Sequence, residues 1–280
     1  MPLMPVKYKD WSGIRTRYLT RLSAVVYRVI AASFSSKGIL SLFIIGIVLV
    51  HAFPGVFLVM TPHTRLTAWM LVGEGFFGWT YLTSGVFSVF IFLLSAGVTS
   101  NLISQDLRNK SFVIYFSRPL GVTEYIIGKL GGAFLVMSTF CTLPTFVVGL
   151  MIIATQTGPN YAGGFRVLLL TLIAGFFASV LFLPYGMMLS SLTKRKAYAG
   201  IGTFMTLFSL TVVSEFFSNT SANWNLVNPM NVLHYSFELI YGFGLPLDID
   251  SRLYAMSLFL FLVPPLMITA WRVKVHEEVS

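Results

Sequence analysis

The sequence predicts an all-α, polytopic membrane protein with six transmembrane helices, an interfacial amphipathic helix at the N-terminus, and a short outer re-entrant or interfacial helix before the last span. Three observations carry that prediction. Of 280 residues, 56% are hydrophobic and only 10% are charged, against about 25% charged in a soluble domain. Long apolar stretches recur, each near or above the roughly 20 residues that cross a ~30 Å hydrocarbon layer. The basic residues are sorted into alternate loops. With a mean hydropathy of +0.80, the chain is neither disordered nor an ordinary water-soluble enzyme. A single cysteine, Cys141, excludes internal disulfides. It lies in an apolar run and reads as a small core residue.

Taken in order, residues 1–37 form a basic N-terminal segment with Lys7, Lys9, Arg15, Arg17, Arg21, Arg28 and Lys37 against the single acid Asp10. No long apolar core begins near Met1, so a cleavable signal peptide is not expected. From Tyr18 to Phe34, Leu19, Leu22, Val25, Val26, Val29 and Ile30 recur at helical spacing, set against Arg17, Arg21 and Arg28. That pattern suits a helix lying in the membrane interface; a solvated helix packed on another subunit is the alternative.

A transmembrane domain over 38–271 follows, with apolar spans near 38–59, 76–102, 126–154, 165–191, 199–217 and 253–271. The second and third exceed one bilayer crossing, so their ends are expected to tilt or project into water. Pro144, Pro184 and the pair Pro264-Pro265 are expected to bend the third, fourth and last spans. Residues 272–280 form a short tail.

The charges set the topology. Segments 1–37, 103–125, 192–198 and 272–280, with Lys129 at the foot of the third span, hold sixteen of the nineteen Lys and Arg residues. The opposite side keeps only Arg65, Arg166 and Arg252. The positive-inside rule then places both termini in the cytoplasm. The net charge of +9 is thereby assigned to the inner membrane face, and no nucleic-acid partner is expected. The outer segment 218–252 carries Asn228-Pro229 and then Val232, Leu233, Ser236, Leu239, Ile240 and Phe243, a short amphipathic helix after a proline turn. Its aromatics, Trp224, Tyr235, Phe237 and Tyr241, suit the outer membrane interface.

The inner loop 103–125 carries most of the functional signal. Asp106, Arg108 and Lys110 make the end of the second helix polar, and Phe112 to Phe116 is a short apolar patch. Pro119 and Gly121 force a turn. The third span opens at Thr123, with Glu124 placed for the positive helix N-terminus. An exposed apolar patch rimmed by charge marks a partner site.

In this loop the chain resembles the permease subunit of type-2 ABC exporters. Those chains read Glu, three residues, Gly-Thr, an apolar stretch, Ser-x-Pro, and Gly-Lys about ten residues on. The matching positions are Asp106, Lys110-Ser111, Ser117-Arg118-Pro119 and Gly128-Lys129, with Asp for Glu, Lys for Gly and Ser for Thr. The resemblance covers about 25 residues in motif and most of the chain in plan. It implies a six-span exporter subunit in the cytoplasmic (inner) membrane. The subunit would pair with itself or with a related permease, and a separate ATP-binding cassette subunit holding ATP and Mg would drive it. It also implies a coupling role for Asp106, Arg108, Phe112, Tyr115, Arg118, Pro119 and Glu124. Lys194 and Arg195, in the second inner loop, would make a smaller second contact; a plain positive-inside anchor is the alternative there. No GxxxxGK[ST] occurs, so ATP binding by a P-loop on this chain is excluded.

Other chemistry is sparse. His51, His63, His234 and His276 lack metal-ligand spacing. His51 lies within the first span, where a hydrogen-bonded structural role is expected. Glu215 and Arg166 sit at the outer ends of their spans and could pair, or Glu215 could guard an exit. No carboxylate sits at the centre of a span, which disfavours an ion-coupled secondary carrier. No serine–histidine arrangement of an intramembrane protease is present. No catalytic residue, resident cofactor or metal is expected on this chain. The other reading to be weighed is a non-transporting membrane scaffold or assembly factor.

Overall fold

Prolines and small residues decide where the apolar stretches bend and how closely they pack. The computed structural model describes residues 18–52, 85–112, 121–155, 161–242 and 244–279, and no strand occurs among them. Helix α1 (Tyr18–Ser35) ends at Ser36, whose extended backbone turns the chain into α2 (Lys37–Gly46). A π-helical turn, Ile47–Ala52, prolongs α2. The two arms, Leu19–Ser35 and Lys37–Ala52, meet at 78°. The chain continues through α3 (Gly85–Ser100), α4 (Ser104–Arg108), α5 (Val122–Cys141), α6 (Leu143–Thr155), α7 (Tyr161–Leu181) and α8 (Leu183–Leu192). Then come α9 (Lys196–Phe217), a 3-10 turn (Ala222–Val227), α10 (Pro229–Tyr241) and α11 (Ser251–Val279). Among the described residues, five helical segments are long and apolar enough to cross a membrane, or six if the bent α1–α2 pair counts as one.

The helices are interrupted ahead of two of the prolines expected to bend them. The third span breaks between α5 and α6 at Thr142, and the fourth between α7 and α8 at Phe182, each two residues before a proline. Proline has no N–H, so the carbonyl four residues earlier loses its helical donor. For Pro144 that carbonyl belongs to Phe140, and the His51 ring reaches it. His51 is buried and meets Phe140 and Phe87 edge-on, with ring centroids 5.2 and 6.4 Å away. The span histidine is therefore engaged at a helix break. In the last span α11 runs as one continuous helix through Pro264 and Pro265.

Helices α3 and α5 form the centre. α3 touches α2, α5, α8 and α9, and α5 is flanked by α1, α7 and α11. About 61% of each central span is buried, against 22% of α9 and 28% of α11, so these last two form the periphery. Close approach requires glycine at several crossings. A Cβ at Gly186 would lie 2.0 Å from Thr99 Oγ1, and one at Gly132 would lie 2.6 Å from Val29 Cβ. These contacts bind α8 to α3 and α1 to α5.

Within segment 218–252, the helix expected after the proline turn forms. Asn228 caps α10 by accepting from the Met230 N–H at 2.9 Å, and Pro229 occupies the first helical position. Its aromatics, however, point mostly into the protein rather than to the membrane interface. Tyr235 and Phe237 are buried, and the hydroxyls of Tyr241 and Thr171 meet at 2.8 Å, tying α10 to α7. Trp224 remains exposed and stacks on Phe217. His234 Nε2 lies 3.3 Å from Glu238 Oε1, and burial pushes the His234 pKa down and the Glu238 pKa up. Glu215 and Arg166 are both exposed and do not pair with each other.

Candidate functional site

Of the charged residues that follow α3, Asp106 folds inward while Arg108 and Lys110 stay exposed. After Ser100 the chain makes a tight turn and begins α4 at Ser104. The first N–H groups of a helix have no intrahelical acceptor. Here the Ser190 hydroxyl, at the end of α8, accepts from the N–H of Ile103 and of Ser104, both at 3.0 Å. The same hydroxyl donates to the Ser100 carbonyl at 3.2 Å. One side chain thus caps α4 across the bundle and joins the segment after α3 to the helix leading into residues 193–196.

Asp106 follows one turn later and is buried at 4% exposure. Lys129 Nζ, from the second turn of α5, lies 2.6 Å from Asp106 Oδ2, and the Tyr125 hydroxyl donates to the same oxygen at 2.7 Å. Tyr125 and Lys129 are four residues apart and share one helical face. The ammonium also lies 5.4 Å from the Tyr125 ring centroid. Phe112 packs edge-on against that ring, with centroids 5.6 Å apart. A charged pair this deep persists because each charge has its partner and Tyr125 supplies a further hydrogen bond.

Helix α4 ends at a backbone irregularity. Lys110 is left-handed, with φ 52°, and is the non-glycine residue of positive φ among the described residues. Its conformation lets the Ser111 N–H reach back to the Asp106 carbonyl at 2.9 Å, while the Asn109 N–H bonds Gln105. This is the six-to-one closure of a Schellman motif. A β-carbon at such a position costs roughly 1–2 kcal/mol. Lys110→Gly is therefore expected to raise stability by about 1 kcal/mol, read as a higher denaturation midpoint in detergent; a lower midpoint would mean that the turn is not left-handed.

The residues predicted to couple divide into two groups. Arg108 is exposed, and Glu124 accepts from the Gly121 N–H at 3.4 Å at the start of α5. Lys194 and Arg195 are exposed on the adjoining loop, where an Arg195 N–H donates to the Tyr198 hydroxyl at 3.1 Å. Asp106 and Phe112 face inward instead. The exposed apolar patch expected from residue 112 onward loses its first member, because Phe112 is buried against Tyr125. Tyr115, Arg118 and Pro119 lie outside the described residues. Sequence reasoning missed Tyr125 and Ser190, and it read Lys129 as a topology charge and a motif position without pairing it with Asp106. The four-residue spacing of Tyr125 and Lys129 was the available signal; nothing in the sequence marks Ser190.

No protein-family model matches the sequence, and no curated protein is significantly similar to it.

Proposed function

We propose that the chain is the membrane-spanning permease subunit of an ATP-driven exporter of the type-2 ABC class, working as a dimer with itself or a related permease and powered by a separate ATP-binding cassette subunit. The observation that carries this reading is the conformation of Lys110. The resembling family writes glycine at this point of its motif, and here the backbone is left-handed, at φ 52°. A left-handed turn gives a physical reason for glycine, so the resemblance extends from letters to geometry. The ion pair adds a second point, since Asp106 and Lys129 are both motif positions.

In this reading the positive-inside bias places the basic end in the cytoplasm, against the ATPase. ATP-driven closure pushes on residues 103–125. The push reaches α3 through the chain itself, α5 through Asp106–Lys129, and α8 through Ser190. Three spans then tilt together, the kind of rigid-body switch that alternates access. The cargo is apolar or amphipathic, in keeping with spans that lack central charge.

The test is purification of the tagged chain in mild detergent from its native cells, with identification of what co-elutes. A stoichiometric P-loop ATPase, lost on Tyr115→Glu with Arg118→Glu while the variant still inserts, is the expected result. Elution as an intact oligomer without any ATPase would replace this reading with a scaffold or an ion-coupled carrier.

A further inference from the structure

We infer that the cavity between α1 and the inner ends of α3 and α5 is a binding site for the phosphate of an anionic lipid headgroup. The inference rests on the membrane architecture and not on the exporter reading.

The cavity has a volume of about 110 Å³ and opens toward the surface beside α1. That is several times the space one water needs. Its walls carry Arg28 from α1, Asn101 and Gln105 from the turn and first residues of α4, and the Asp106–Lys129 pair. Nitrogen donors therefore converge from three separate elements. The Asn101 and Gln105 carboxamides have no hydrogen-bond partner among the described residues, so their donors are available.

The charge arrangement selects an anion. The lining carboxylate, Asp106, is already held by Lys129 at 2.6 Å and by the Tyr125 hydroxyl at 2.7 Å. It offers little to a cationic ligand and repels an anion less than a free carboxylate would. Arg28 stands close enough to Lys129 for the two cations to repel, and an anion between them relieves that repulsion. A guanidinium is also the side chain best shaped to take two phosphate oxygens at once.

The position selects a lipid over a free ion. Arg28 lies on the helix that meets α2 at 78°, and the outward face of that helix carries Leu19 and Tyr27, both more than 70% exposed. Apolar groups of that size at the edge of a membrane bundle sit among acyl chains, with the headgroup phosphates alongside. Basic pockets between helices at this level suit anionic headgroups.

The test is native mass spectrometry of the full chain in mild detergent with phosphatidylglycerol or phosphatidylcholine of matched acyl chains. Expected is retention of one phosphatidylglycerol at least about tenfold above phosphatidylcholine. Arg28→Ala combined with Asn101→Leu should weaken that retention about tenfold with an unchanged melting midpoint. Should the pair fail to fold, Arg28→Gln alone, on an exposed site, must lower retention in the same direction. Equal retention of the two lipids, or a preference that survives loss of Arg28, would overturn the site. Displacement of phosphatidylglycerol by millimolar inorganic phosphate would overturn its assignment to lipid and leave a free-phosphate site; persistence of the lipid supports it.

Discussion

Lys129→Met is expected to destabilise the folded chain by about 3–5 kcal/mol, measured as denaturant unfolding in detergent. The cost comes from Asp106 as much as from the lost lysine. At 4% exposure the carboxylate cannot recover its hydration, and the Tyr125 hydroxyl alone cannot neutralise it. Asp106→Asn should be comparably harmful, because it strands the ammonium. The double variant Asp106→Asn with Lys129→Met removes both charges and should recover most of the loss, which gives a large coupling in a double-mutant cycle. Additive single effects would show that the two side chains do not share one buried site.

Ser190→Ala is the second large effect. It deletes one oxygen and leaves the N–H groups of Ile103 and Ser104 buried without their acceptor. Each unsatisfied donor costs roughly 1–3 kcal/mol, so a total near ~2–6 kcal/mol follows. Hydrogen–deuterium exchange locates the damage: amides of 103–108 should exchange faster, while those of α7 and α10 keep their protection. Unchanged exchange at 103–108 would mean that α4 is capped by some other group.

Much of the fold was legible because lipid imposes length and apolarity on each span, and both are written in the sequence. Helix α1, the breaks ahead of Pro144 and Pro184, and α10 behind Asn228-Pro229 each had a local signature. The site was only partly legible. Charge at Asp106 and Lys129 was visible, but solvent-facing and inward-facing charges look alike until helix rotation is known. Phe112 misled for the same reason. Ser190 could not be found, since its partners are main-chain groups 86 and 87 residues away, and any sequence supplies main-chain N–H groups. The unbroken course of α11 through Pro264-Pro265 shows the converse limit: proline marks a lost hydrogen bond, and the surrounding packing decides whether the helix parts there.

The buried pair also has a consequence for how the chain enters its membrane. A lone aspartate or lysine carried to mid-bilayer raises the insertion cost by about 2.5–3.5 kcal/mol on translocon scales, and a shallower site costs less. Asp106 ends the hairpin arm that contains α3, and Lys129 begins the arm that contains α5, with 22 residues between them. In the folded chain each of these charges is paired with the one on the other arm. The favourable unit of insertion is thus the α3–α5 hairpin, delivered to lipid together, with the salt bridge closing as the second arm leaves the translocon. An insertion that separates the two arms would act first on biogenesis, lowering the yield of integrated chain.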